Sequence, residues 1–127
     1  PELELLHHCP NGGSRNKAEA VKLKQMGVKA GIPDLCIPVP MGMYNGLYIE
    51  MKYDTGRLED GQKKMLKALA AAGHYCTVCY GAEEAIRVLQ EYINLKKIDT
   101  GNREDAMSEQ NLMIRKNGKV KCIIFKE

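Results

Sequence analysis

The stretch "GIPDLCIPVPMGMYNGLYIEMK", residues 31–52, decides how this chain folds. Two short apolar runs, 34–38 and 46–53, flank a loop of Pro, Gly, Met and Asn. So short a separation predicts an antiparallel, hairpin-like pair rather than a crossover. Each run carries charge where a buried strand should have none: Asp34 in the first, Glu50 and Lys52 in the second. A carboxylate on a buried strand costs several kcal/mol unless it is paired or bound to a cation. Glu50 and Lys52 are two apart, so both point to one face, and Asp34 on the neighbouring strand can reach that face. Two carboxylates converging near an ammonium suit a hard divalent cation such as Mg²⁺, which takes oxygen ligands and keeps positions for water and phosphate. Such an ion can sharpen a water nucleophile and shield charge on a phosphodiester. A plain cross-strand salt bridge is the alternative.

Outward from this pair, the pattern predicts an α/β domain. Residues 3–9 (LELLHHC) could form an opening strand, and 10–16 (PNGGSRN) a turn. Residues 17–26 have helical spacing and stop at Gly27. Residues 59–72 form an amphipathic helix ending at Gly73, 74–80 (HYCTVCY) a strand, and 82–96 the clearest helix. The order β, α, β, β, α, β, α implies helices around a mixed sheet. After Lys97 the composition turns polar and aperiodic, and 112–125 then reads as a hairpin about Asn117-Gly118. The chain therefore divides into a domain over 1–97 and an extension over 98–127, a linker plus a basic hairpin. The hairpin's Arg115, Lys116, Lys119, Lys121 and Lys126 read as a solvated edge that resists aggregation, or as phosphate contacts.

With 127 residues, 44% hydrophobic and 28% charged, the chain is expected to form one globular unit. No apolar run is long enough to span a bilayer and no signal peptide is visible, so a cytoplasmic location is expected. A net charge of +3 is compatible with a polyanionic partner without requiring one. The five cysteines read as reduced, buried thiols. "CTVC" (76–79) is no zinc knuckle: on a strand, positions three apart face opposite sides, and no second pair has ligand spacing. His7 and His8 alternate faces and cannot chelate one ion together. Tyr44, Tyr48 and Tyr53 read as packing around the charged set, with Tyr44 also able to touch nucleic acid.

"PNGGSR" (10–15), "GVKAGIPDL" (27–35), "GLYIEMK" (46–52), Gln62 and "AGHY" (72–75) occur in this order. Together they resemble the virus-type replication-repair nuclease (VRR-NUC) domain of the PD-(D/E)xK superfamily, over roughly residues 5–95. The resemblance implies a restriction-endonuclease-like core and a Mg²⁺- or Mn²⁺-dependent endonuclease acting on branched DNA, of the stand-alone type found in many phages. It implies Asp34, Glu50 and the Met51 carbonyl as metal ligands, Lys52 as the group that orients or deprotonates the attacking water, and Gln62 reaching back toward the centre. Asn11, Gly12, Gly13 and Arg15 resemble the family's PNGG-x-R turn, whose amides and guanidinium suit a phosphate. A homodimer is expected if symmetric junctions are cut. The superfamily core usually opens with a helix bearing another acidic ligand. Because this chain starts at Pro1, either that helix lies upstream or Glu2, Glu4 or Glu19 substitutes. A DNA-binding module with an inactive centre and a sequence-specific restriction-type enzyme are the rival readings.

Overall fold

The computed structural model describes residues 2–9, 31–95 and 111–124. A 3-10 turn at Glu2–Leu5 leads into β1 (His7–His8), followed by β2 (Leu35–Ile37), β3 (Leu47–Lys52), α1 (Asp60–Ala71), β4 (Tyr75–Tyr80), α2 (Ala82–Ile93), β5 (Asn111–Lys116) and β6 (Lys119–Ile124). These six strands form one sheet, side by side in chain order. Pairing is antiparallel from β1 through β3, parallel from β3 through β5, and antiparallel again between β5 and β6. This is the mixed sheet flanked by helices that the pattern predicts. Among the described residues, no helix is long and apolar enough to cross a membrane.

Two expectations change. The strand expected over 3–9 shrinks to two exposed residues after a 3-10 turn. Its partner β2 has only three residues, bounded by Pro33 and Pro38, which lack the amide hydrogen needed to extend a ladder. The hairpin expected as an extension lies in the same sheet: β5 runs parallel to β4, and its Leu112 is buried in the core. Thr77 ties the two strands further, its hydroxyl donating to the Met113 carbonyl at 2.9 Å. Asn117 and Gly118 both have positive φ, 52° and 74°, as a two-residue hairpin turn with the strands' own twist requires. The helix expected over 17–26, the 10–16 turn and the 98–110 linker lie outside the described residues.

Strand alternation sorts the core into two layers. On one face Leu66 and Ala70 of α1 pack on Cys76, Val78 and Leu112. On the other, Ala85, Val88 and Tyr92 of α2 pack on Ile37, Leu47, Ile49 and Cys79. Tyr92 donates its hydroxyl to the Val39 carbonyl at 2.5 Å, so its polar tip is satisfied in the core. Arg115, buried beneath α2, pairs with Glu91 and lies 3.4 Å from the Tyr75 hydroxyl. Cys76 and Cys79 fall on opposite faces, as the spacing requires, and burial pushes their thiols up to about 12 and about 11. Among the described cysteines three are buried, but Cys9 is only half-buried and Cys122 is exposed.

One close approach ties the 31–34 loop to the start of α1. Gly31 has φ +82°, and a Cβ there would meet the Gly61 carbonyl oxygen at 2.8 Å, whereas a Cβ on Gly61 would meet nothing within 4 Å. Gly31→Ala is therefore expected to cost more than about 1 kcal/mol, while Gly61→Ala gains roughly 0.5 kcal/mol through helix propensity. Urea denaturation of the two variants checks the opposite signs.

Candidate active site

The β2–β3 register builds the site. Leu35 pairs with Ile49, Cys36 with Tyr48 and Ile37 with Leu47. One step further along the same ladder places Asp34 opposite Glu50, on the α1 face of the sheet. The Asp34 carboxylate takes the place of a ladder partner, its Oδ2 accepting the Met51 amide at 2.9 Å. Its main chain is fixed from the other side, where the Cys9 amide donates to the Asp34 carbonyl at 2.7 Å. Met51 lies two residues past Ile49, the last residue of β3 paired with β2. Because an extended residue directs its N–H and C=O to the same side, the Met51 carbonyl also points to the Asp34 side.

Glu50 is only 2% exposed, and its Oε2 is buried without a hydrogen-bond partner among the described residues. Burial pushes its carboxyl up to about 8, helped by a hydrogen bond with Asp34 and the charges of Asp34 and Glu59, and opposed by the Lys52 ammonium. With its carboxyl raised to about 8 by burial, Glu50 favours the protonated form at neutral pH when no metal is bound. An orphaned carboxylate oxygen beside a second carboxylate and a nearby carbonyl fits a hard divalent ion. Among the described residues no cluster of three or more His, Cys, Asp or Glu could hold a metal. Two carboxylates match the few protein ligands that Mg²⁺ accepts.

Lys52 stands two residues beyond Glu50 on the same face and is half-buried. The turn after it supports its stem. The Gly56 amide donates to the Tyr53 carbonyl at 2.9 Å, and a Cβ on Gly56 would lie 3.6 Å from Lys52 Cδ. The Tyr80 hydroxyl donates to the Gly56 carbonyl at 2.6 Å, and Lys116 Nζ to the Asp54 carbonyl at 2.9 Å. Lys52 is thus held between its own strand and a braced turn.

Gln62 lies at the start of α1, but its side chain serves the helix. Its Oε1 accepts the Glu59 amide at 2.9 Å, and the Glu59 carboxylate caps the Gln62 amide in return. Sequence reasoning missed Glu59, whose charge acts on Glu50; the E-x-x-Q spacing of 59–62 is the signal that could have marked it as a cap. Asn11, Gly12, Gly13 and Arg15 lie outside the described residues, as does Glu19. Glu4 is exposed on the 3-10 turn. Tyr44 packs edge-on against Tyr75 and Tyr48 against His74, while Tyr53 is exposed. His7 and His8 are both exposed and take no part in the site.

A sheet with an aspartate facing an E-x-K strand, and a helix beginning beside them, defines a nuclease core of the PD-(D/E)xK type. The VRR-NUC domain family matches over residues 2–83. A solved structure described as a VRR_NUC domain protein is similar at 40% identity, over 78% of this chain and 75% of that one, with a TM-score of 0.65. No curated protein matches. The chain belongs to the VRR-NUC family, whose members generally use divalent metals and for which DNA is the implied substrate.

The protonation of Glu50 has a thermodynamic consequence. Between the ordinary value of 4.5 and about 8, the folded protein holds a proton that the unfolded chain has released. Stability of the metal-free protein therefore falls as pH rises through that window. Glu50→Gln, permanently neutral, should lose less between pH of about 5 and about 8 than the wild type does. Urea midpoints in EDTA at the two pH values measure the difference.

Proposed function

We propose that this domain is a metal-dependent DNA endonuclease that hydrolyses phosphodiester bonds in branched DNA, flaps or four-way junctions. The observation that carries the reading is the buried Glu50 carboxyl, whose Oε2 has no partner among the described residues, facing Asp34 and two residues from Lys52. Asp34, Glu50 and the Met51 carbonyl would hold Mg²⁺ or Mn²⁺. When bound, the ion supplies Lewis-acid stabilisation of the phosphate and lowers the pKa of water. Lys52, held by the braced turn, orients the attacking water and steadies charge developing on the phosphate. Gln62 supports the site through the helix start that it caps, and Asn11, Gly12, Gly13 and Arg15 receive a phosphate of the bound DNA. A bacterial or phage-infected cytoplasm is the setting this reading implies.

Lys52→Ala should lower cleavage on the order of 10²–10⁴-fold in Mg²⁺ or Mn²⁺, with folding unchanged by circular dichroism. Gel assays on duplex, flap and four-way junction substrates measure it. A wild type that cuts none of them, and that Lys52→Ala leaves no worse, overturns the proposal.

A second reading, a DNA-binding module with an inactive centre, draws on the exposed position of Glu4 and the lack of a third acidic ligand among the described residues. Calorimetry separates the two, because an inactive module binds DNA without Mn²⁺ affinity at Asp34 and Glu50. Symmetric junctions need two cuts, so a domain with one site must pair. Sedimentation of a junction complex should show two copies of the protein, and a strict monomer on the junction counts against junction resolution.

A further inference from the structure

The β5–β6 hairpin lies beyond the segment that matches the family. Its described residues contain four cations, Arg115, Lys116, Lys119 and Lys121, and no acid. Arg115 points beneath α2 and is paired. The three lysines share the opposite face, since Lys116 pairs with Lys119 across the turn and Ile114 with Lys121. That is the face on which Glu50 and Lys52 stand.

The ladder connects them directly. Glu50 pairs with Val78, Val78 with Ile114, and Ile114 with Lys121. In the next row Lys52 pairs with Tyr80, Lys116 Nζ sits 4.7 Å over the Tyr80 ring, and Lys116 pairs with Lys119. The first row passes under α1, where Val78 is 1% exposed. The second row stays open at the N-terminal end of that helix. Three strand spacings of ~4.8 Å separate β3 from β6, so Lys119 lies ~14 Å from the Lys52 row, about four base-pair steps of 3.4 Å.

The placement argues against mere protection of an edge strand. On β6 the other face is exposed and apolar, with Val120 at 53% and Ile124 at 52% exposed, and it carries no charge. Lysines serving only solubility would be needed there; instead they all stand on the side of the carboxylates. Neither Lys119 nor Lys121 has a carboxylate within ion-pair reach among the described residues, and with Lys116 and Ile114 they line an open groove of about 460 Å³. Two lysines with no carboxylate partner among the described residues, beside the proposed cleavage site, match a polyanionic backbone.

We infer that Lys119 and Lys121 form a nucleic-acid backbone track that continues the active site across the sheet, with Lys116 tying the track to the turn that supports Lys52. The inference rests on the nuclease reading and adds where the DNA flanking the cut is held. It is sequence-independent contact, so its signature is ionic.

The test compares three proteins by fluorescence anisotropy with a labelled DNA duplex in Mg²⁺ across a KCl series, all in a Lys52→Ala background to prevent turnover. Lys119→Gln with Lys121→Gln should weaken binding on the order of tenfold and make the log–log salt slope shallower by about 2. Ile86→Glu with Gln90→Glu lowers the net charge equally on exposed α2 positions of the other face, and should keep a slope near that of the background. Thermal melts confirm that both double variants are folded. Equal slopes for the hairpin variant and the background overturn the track, as do equal losses in both double variants. Wild-type cleavage of duplex, flap and four-way junction DNA, assayed alongside, separates the two ideas: cutting of any of them with an unchanged slope removes the track alone, whereas no cutting of all three and no binding remove the nuclease reading as well.

Discussion

The confrontation of Asp34 and Glu50 across β2 and β3 is the constraint around which the rest of this structure is arranged. Left to themselves, two acids at a dry position would push the strands apart or draw in water. Here the loop before β2 is pinned at three points: Gly31 against Gly61, the Asp34 carbonyl against the Cys9 amide, and the Asp34 carboxylate against the Met51 amide. Pro33 and Pro38 limit β2 to the three residues that pair with Leu47, Tyr48 and Ile49, one step short of Glu50. The hydrophobic layer behind the sheet supplies the stability that lets such a position persist, with Leu47 and Ile49 of the same strand fully buried under α2.

Much of this was legible in residues 31–52, because the antiparallel register and the strand period of two are local properties. They place Asp34, Glu50 and Lys52 on one face without knowledge of the rest of the chain. Helices α1 and α2 were legible for a similar reason, since their apolar stripes repeat within a dozen residues. What escaped depends on distant partners. The approach of Glu59 to Glu50 requires knowing how α1 docks. Gln62 had the right position for two roles, and only the Glu59 amide beside its carbonyl oxygen shows which one its side chain fills. β1 was overestimated because an apolar run says nothing about the length of its partner.

The hairpin illustrates the same limit more sharply. Its turn was plain from Asn117-Gly118, but a polar linker before it suggested an appendage. Leu112 in the core, Thr77 bonded to the Met113 carbonyl and Arg115 paired with Glu91 make it part of the central plate. The sheet thereby joins β3 and the basic hairpin through hydrogen bonds rather than through a tether. Lys116, resting on Tyr80 and bound to the Asp54 carbonyl, closes that connection at the surface.

Alternation along β5 and β6 makes this surface unusually sensitive to chain length. Leu112, Ile114 and Ile123 share a side with the lysines, while Val120, Cys122 and Ile124 occupy the reverse. Loss or gain of one residue between Gly118 and Ile124 would exchange the two sets, turning greasy side chains toward the Lys52 face and ammonium groups toward α2. Drift in this segment is therefore expected to proceed by substitution, or by insertions in multiples of two, whereas a single-codon indel would invert the character of the whole rim at once.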